Sequence, residues 1–321
     1  MPFVGLHWQT MVEHERSDEP VGPVLHRPAM VAEVLQVLQP SPGDAVLDLT
    51  VGTGGHSLAL SRAVAPDGVL IGLDADPDAL RVARARLSEA ALCRFDLLAS
   101  RFSRAAEVTA RAGVPAFDCV LADLGVGSHQ LDDPARGLSF DSAARLDMRF
   151  DPSVGSSAWD AVNGLTQEEL ADVFYHLGEE RYSRPIAAAI CRQRALEPIE
   201  TAGELADLVK RVVARRPPRR RTWRIHPATR VMMALRIYVN REMEELDALL
   251  DALPGLLKPG GRAAILTYHS LEARRVKQSW RRQKQDGLLT LLTRPPLRPT
   301  DQEQGENPRV RSAQLRAMRK L

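Results

Sequence analysis

The chain has 321 residues, 44% of them hydrophobic, enough for one large α/β domain or one such domain carrying an insertion, and the second arrangement is expected. A formal net charge of +2 excludes a uniformly basic polyanion binder, although basic residues gather between positions 211 and 224. Cys93, Cys119 and Cys191 are odd in number and form no Cys-x-x-Cys pair, which argues against a disulfide framework or a zinc site; they read as small buried residues, and no metal is expected.

Between Met1 and Pro20, His and acidic residues interrupt any apolar stretch of signal-peptide kind, and no later window reaches transmembrane length. A cytoplasmic protein with no membrane partner is the expectation. After His26-Arg27-Pro28, apolar residues recur at helical spacing from Ala29 to Leu38.

From Ala45 the pattern alternates. A strand to Leu49 meets a glycine turn at 52–55, a helix follows to about Val64, and a strand runs from Val69 to Leu73. A helix from about Pro77 to Ala90, a strand near Leu92 to Leu97 and an apolar run from Asp118 to Leu124 continue a parallel βαβ design. Between about Leu131 and Arg221, helical patterns such as Gln167 to His176 and Arg184 to Arg194 succeed one another with no strand between them. The parallel design then returns with one long helix from about Thr229 to Leu257, the turn Lys258-Pro259-Gly260-Gly261 and a strand from Arg262 to Tyr268. Arg294 to Asn307 reads as a loop, and Arg309 to Arg319 as the source of a last strand. The expected organisation is a discontinuous α/β domain of residues 1–130 and 222–321, interrupted by an all-helical insertion over 131–221.

The run Asp48 to Ser57 places Gly52, Gly54 and Gly55 where the first strand turns into a helix, so a ligand can approach the backbone unobstructed by Cβ atoms. Asp74 ends the second strand twenty positions after Gly54, where a two-acceptor carboxylate suits a ribose diol. A dinucleotide fingerprint requires a third glycine at position 57, which is Ser57. Asp48 before the turn repels a pyrophosphate and suits the ammonium or sulfonium of S-adenosyl-L-methionine, directly or through water.

Asp123, at the end of the fourth strand, is the first candidate for chemistry. It has two readings: an acceptor that holds an exocyclic amine during methylation, or a partner of the cofactor's adenine amine. His129 and Gln130 follow on the next loop, Phe102 is placed to stack on adenine, and the weaker catalytic candidates are His269 on the same rim and His226 at the foot of the long helix. The run Arg215-Arg216-Pro217-Pro218-Arg219-Arg220-Arg221-Thr222-Trp223-Arg224 combines phosphate contacts with a stacking ring, or else is a solvated linker.

Several blocks together resemble the bacterial ribosomal RNA small-subunit methyltransferase H family, formerly called MraW. They are His26-Arg27-Pro28, Asp48 to Ser57, Asp123-Leu124-Gly125-Val126 with Ser128 and Gln130, and Gly178-Glu179-Glu180-Arg181 with Ile186-Ala187. Further along come His226-Pro227-Ala228-Thr229-Arg230 with Ala234-Leu235-Arg236-Ile237 and Asn240, and Leu257 to Gly261 through His269-Ser270-Leu271-Glu272. Gly127 departs from the family's usual serine. The resemblance implies a Rossmann-like class I S-adenosylmethionine-dependent methyltransferase whose all-helical insertion recognises RNA. Its implied substrate is N4 of a decoding-centre cytidine of 16S rRNA, in the small ribosomal subunit or its precursor. The implied cofactor contacts are Gly54, Gly55, His56, Asp74, Phe102, Asp123 and Gln130, with Asp123 also the catalytic candidate; a homodimer is compatible. Two other functions remain open: an RNA-binding assembly factor without catalysis, and a small-molecule methyltransferase.

Overall fold

The computed structural model describes residues 28–127, 130–131, 133, 136–139, 144–215 and 226–321. His26, Arg27, Ser128, His129 and residues 216–224 of the basic run lie outside the described residues. The strands are β1 (Ala45–Asp48), β2 (Val69–Asp74), β3 (Arg94–Ala99), β4 (Phe117–Asp123), β5 (Leu257–Thr267), β6 (Leu289–Leu291) and β7 (Gln314–Lys320). They form one sheet in the order β3-β2-β1-β4-β5-β7-β6. β1 to β5 pair in parallel, and β7 is antiparallel to both β5 and β6. This is a Rossmann-like, doubly wound sheet, with the order reversing between β1 and β4.

The alternation of side chains along each strand decides how the sheet is covered. Val46, Leu70, Cys119, Leu121, Ala264 and Leu266 face α1 (Val31–Leu38), α2 (Gly55–Val64) and α3 (Pro77–Ala90). Leu47, Ile71, Leu73, Val120, Ala122 and Ile265 face the opposite layer, built from α4 (Ala105–Arg111), α10 (Glu242–Leu256) and α11 (Ser270–Gln285).

A separate core belongs to α5 (Ala158–Gly164), α6 (Gln167–His176), α7 (Ser183–Arg194), α8 (Ala202–Ala214) and α9 (Thr229–Asn240). Capping boxes start three of these helices, with Ser157 and Asp160, Thr166 and Glu169, and Thr201 and Glu204 exchanging side-chain and backbone hydrogen bonds. The core they bury extends from Leu146 to Leu235, so α9, beyond the expected insertion, fills it with Val231, Met232, Ala234 and Leu235.

The structure corrects several sequence expectations. The single long helix from Thr229 is two, because Arg241 takes a left-handed conformation with φ 55° that ends α9 and starts α10. The break lets one stretch serve two cores: α9 packs in the helical unit and α10 buries Leu246, Leu249, Leu250 and Leu253 against the sheet. Asn240 fixes the bend, its amide donating to the Met148 carbonyl (2.8 Å) and the Arg236 carbonyl (2.9 Å) while its oxygen accepts from Phe150 N–H (2.8 Å). The expected loop from Arg294 to Asn307 holds the short helix α12 (Asp301–Glu306), capped by the Thr300 hydroxyl. The last strand begins at Gln314 rather than Arg309, because Asn307 accepts from Arg309 N–H and winds Pro308–Ser312 into a 3₁₀ turn. The third strand lies two residues later than its expected span.

At Gly178, between α6 and α7, the backbone passes so close to α9 that a Cβ would stand 2.6 Å from the Arg230 carbonyl oxygen and 2.8 Å from that of Phe174. Gly178→Ala is therefore expected to destabilise the protein by about 1–3 kcal/mol, the usual cost of overpacking, measured by chemical denaturation.

Candidate active site

In an open α/β sheet, ligands gather outside the carboxyl ends of the strands, at the point where strand order reverses. A cleft of about 520 Å³ opens at that point, within the usual size range of small-molecule sites. Leu49 to Thr53 after β1, Asp74 at the end of β2, Asp123 to Gly127 after β4, and Tyr268 and His269 after β5 all line it. α9 and α10 supply the facing wall through Met233, Arg236, Glu242 and Met243.

Of the seven residues expected to hold a cofactor, Gly55, His56, Asp74, Phe102, Asp123 and Gln130 line this cleft. Gly54 is not a lining residue: at φ 85° it caps α2 and turns toward α3, where a Cβ would stand 3.1 Å from that of Ala83. Gly52 takes its place at the surface of the cleft. Its φ is 51°, and a Cβ added there would project into open space, so the absent side chain leaves a cradle for a ligand.

Asp74 is oriented before any ligand arrives. Gly52 N–H donates to Oδ2 (2.7 Å) and Asp76 N–H to Oδ1 (2.8 Å), which orients a carboxylate whose two oxygens suit a vicinal diol. Gln130 is buried, its amide donating to Asp76 Oδ2 (3.0 Å) and its oxygen accepting from Gly127 N–H (3.2 Å). It thereby ties the loop after β4 to the start of α3, and Arg136 reinforces the tie with an ion pair to Asp76 at 2.9 Å. Gly127, with no hydroxyl to offer, takes part through its backbone. Phe102 opens a 3₁₀ turn after β3 and reaches the cleft half-buried.

Asp123 is held through both its backbone and its side chain. Its backbone N–H donates to Thr50 Oγ1 (2.7 Å), and the Tyr268 hydroxyl donates to Oδ1 (2.7 Å). His56 Nε2 lies 3.4 Å from Oδ2, an ion-pair contact that falls short of hydrogen-bond geometry. Burial opposes the charged imidazole, but Asp123, Asp48 and Glu303 outweigh it and hold the His56 pKa above the usual value. Burial, then Asp123, pushes the Tyr268 phenol well above its usual range, so it stays a donor.

Asp48 does not line the cleft, which removes the direct form of the contact expected of it and leaves the water-mediated form. It is fully buried beneath the turn, accepting from Ser57 Oγ (2.6 Å) and Thr50 N–H (3.1 Å), and burial raises its pKa despite both bonds. His269 caps α11 and lies 3.0 Å from Glu272 Oε1, while His226 holds the start of α9 by accepting from Ala228 N–H (3.2 Å) and is not a lining residue. Glu242, His269 and Glu272 converge in a metal-compatible spacing. Arg236 already supplies a cation there, donating to both Glu242 oxygens at 2.7 and 2.8 Å.

The model of the MraW methylase family matches residues 23–321. The chain belongs to that family. Ribosomal RNA small subunit methyltransferase H of Syntrophotalea carbinolica is 46% identical, over 92% of this chain and 98% of its own length. Its namesakes in Geobacter sulfurreducens and Thermomicrobium roseum are each 44% identical over 92% of this chain, covering 99% and 94% of their own lengths. The cofactor is S-adenosyl-L-methionine, which supplies a methyl group activated by a sulfonium. The cleft fits it: the Gly52 cradle admits a ligand against the backbone, Asp74 presents a diol acceptor, and Phe102 offers an apolar face.

Sequence reasoning missed Tyr268, Arg236 and Glu242 as parts of the site, and the signal in each case was weak. A tyrosine after a strand reads as core, and Arg236 and Glu242 straddle a helix break that no glycine or proline marks.

Asp74→Ala is expected to weaken S-adenosyl-L-methionine binding by about 10- to 100-fold in calorimetry, the value of one or two charge-assisted hydrogen bonds. His56 carries a raised pKa, so its stabilising contribution is full below the unfolded value near pH 6.5 and is lost as pH rises through the folded value. His56→Gln should accordingly destabilise the protein more at pH 5.5 than at pH 9, read from denaturation at both values.

Proposed function

We propose that this chain transfers a methyl group from S-adenosyl-L-methionine to N4 of a decoding-centre cytidine in 16S rRNA of the small ribosomal subunit. The names of relatives 44–46% identical along nearly their whole length support small-subunit rRNA as substrate. The observation that carries the choice of atom is Asp123, a carboxylate at the end of β4 fixed by Tyr268 and open to the cleft.

An aromatic exocyclic amine is a poor nucleophile because its lone pair is delocalised into the ring. A carboxylate accepting one of its N–H bonds favours the pyramidal nitrogen that attack requires. Asp123 supplies that acceptor in this reading, with Tyr268 holding its orientation and His56 balancing its charge. The helical unit, with the basic run at its end, is assigned to RNA recognition. A cytoplasmic location follows from the substrate.

The test is transfer of labelled methyl to 30S particles lacking the modification, with the labelled nucleoside then identified. Label in N4-methylcytidine, reduced about 100-fold by Asp123→Asn at saturating cofactor, is expected. Label in another nucleoside overturns the assignment of the atom. Cofactor binding without transfer to any particle favours the assembly-factor reading.

A further inference from the structure

A second hollow, of about 250 Å³, lies away from the cleft, between α11 and the strands β6 and β7. Lys277 and Arg281 of α11, Arg294 after β6 and Arg316 of β7 contribute to its lining, which contains no acidic residue.

The pairing of the neighbouring charges makes this arrangement unusual. Elsewhere on α11, Arg274 pairs with Glu179 (2.8 Å), Arg275 with Asp247, and Arg282 with Asp251 (3.1 Å). Among the described residues, no carboxylate lies within ion-pair distance of Lys277, Arg281, Arg294 or Arg316. The Arg316 guanidinium is half-buried and donates to the uncharged Gln314 Oε1 at 3.3 Å. Burial and the positive charge of Arg298 push its pKa down.

Uncharged residues complete the hollow. Buried Trp280 forms part of its wall. Thr293 Oγ1 accepts from Ala317 N–H (3.0 Å), which leaves its own proton to donate. Collecting like charges in a concave, partly dehydrated place costs electrostatic energy, and a bound anion offsets it. Guanidinium forks and a hydroxyl donor match a phosphate, whose oxygens only accept.

The position relates the hollow to the cleft. β6 runs parallel to β5, since both are antiparallel to β7, so the segment leaving β6 emerges at the sheet edge that carries the cleft. α11 begins beside His269 in the cleft, and Lys277 and Arg281 follow about 12 and 18 Å along its axis at 1.5 Å per residue.

We propose that this pocket holds a backbone phosphate of the RNA whose base enters the cleft. The identity of the phosphate as RNA rests on the function proposed above. The role is positional, anchoring the strand two or three helical turns from the reacting base.

The test uses the full chain and three proteins: wild type, Lys277→Gln/Arg281→Gln, and the control Arg274→Gln/Arg282→Gln, which removes equal charge outside the pocket. Binding to undermethylated 30S particles is measured across a salt series, with inorganic phosphate titrated calorimetrically in parallel. The pocket variant is expected to lose about tenfold in affinity, with its salt slope shallower by roughly 0.7–1.8, corresponding to one or two phosphate contacts. The control should match wild type, and all three should bind S-adenosyl-L-methionine equally. Equal losses in both variants, or none in either while wild type binds tightly, overturn the pocket and leave the proposed function standing. Phosphate binding that the pocket variant loses, with an unchanged particle slope, assigns the pocket to a free anion and overturns the RNA assignment. A wild type that binds no particle overturns both proposals.

Discussion

The hydrogen bond from Tyr268 to Asp123 is the contact on which the site depends, because it joins the ends of β4 and β5 beside the point where strand order reverses. A carboxylate at the floor of a cleft must be held by donors, or its position drifts and its desolvation goes uncompensated. Here the restraints arrive from elements far apart in the chain: Thr50 from the turn after β1, His56 from the first turn of α2 and Tyr268 from beyond β5. Each is delivered by the register of the sheet. The geometry of the reacting end is thus a property of strand pairing more than of any single loop.

The other wall is held by polar contacts between units with separate cores. Arg101, after β3, donates to the Asn240 carbonyl (2.8 Å) and lies 3.5 Å from Glu245, which fixes the strand ends to both sides of the helix break. Arg236 and Glu242 clamp that break from its two flanks while their side chains line the cleft. A half-buried bidentate pair has the directionality to set the angle between α9 and α10, which apolar packing alone does not.

Much of this was legible in the sequence because it follows from local physics. The glycines at 52–55 and the carboxylate at 74 announce a nucleotide-type turn, and period-two and period-3.6 patterns place the strands and helices around it. What stayed hidden depended on tertiary context. Asp48 read as able to touch a ligand directly until Ser57, nine residues away, proved to be its partner. The reversed-hand Arg241 has no sequence mark, since neither glycine nor proline stands there. The three residues of β6 are too few to show a period. Gln130 and Phe102 were legible from their places on loops beside the expected strand ends, and the family resemblance points to the same two residues.

The shared helix α9 has a consequence for dissecting the molecule. The helical unit looks like a module that could be cut out at the ends of its own segment, yet five of its core residues, Ala228, Val231, Met232, Ala234 and Leu235, arrive from the returning chain. A fragment ending near position 221 would expose the apolar faces that these residues cover. The helical unit therefore closes its core only after the chain has turned back toward the sheet, so its boundary in space does not coincide with a boundary in sequence.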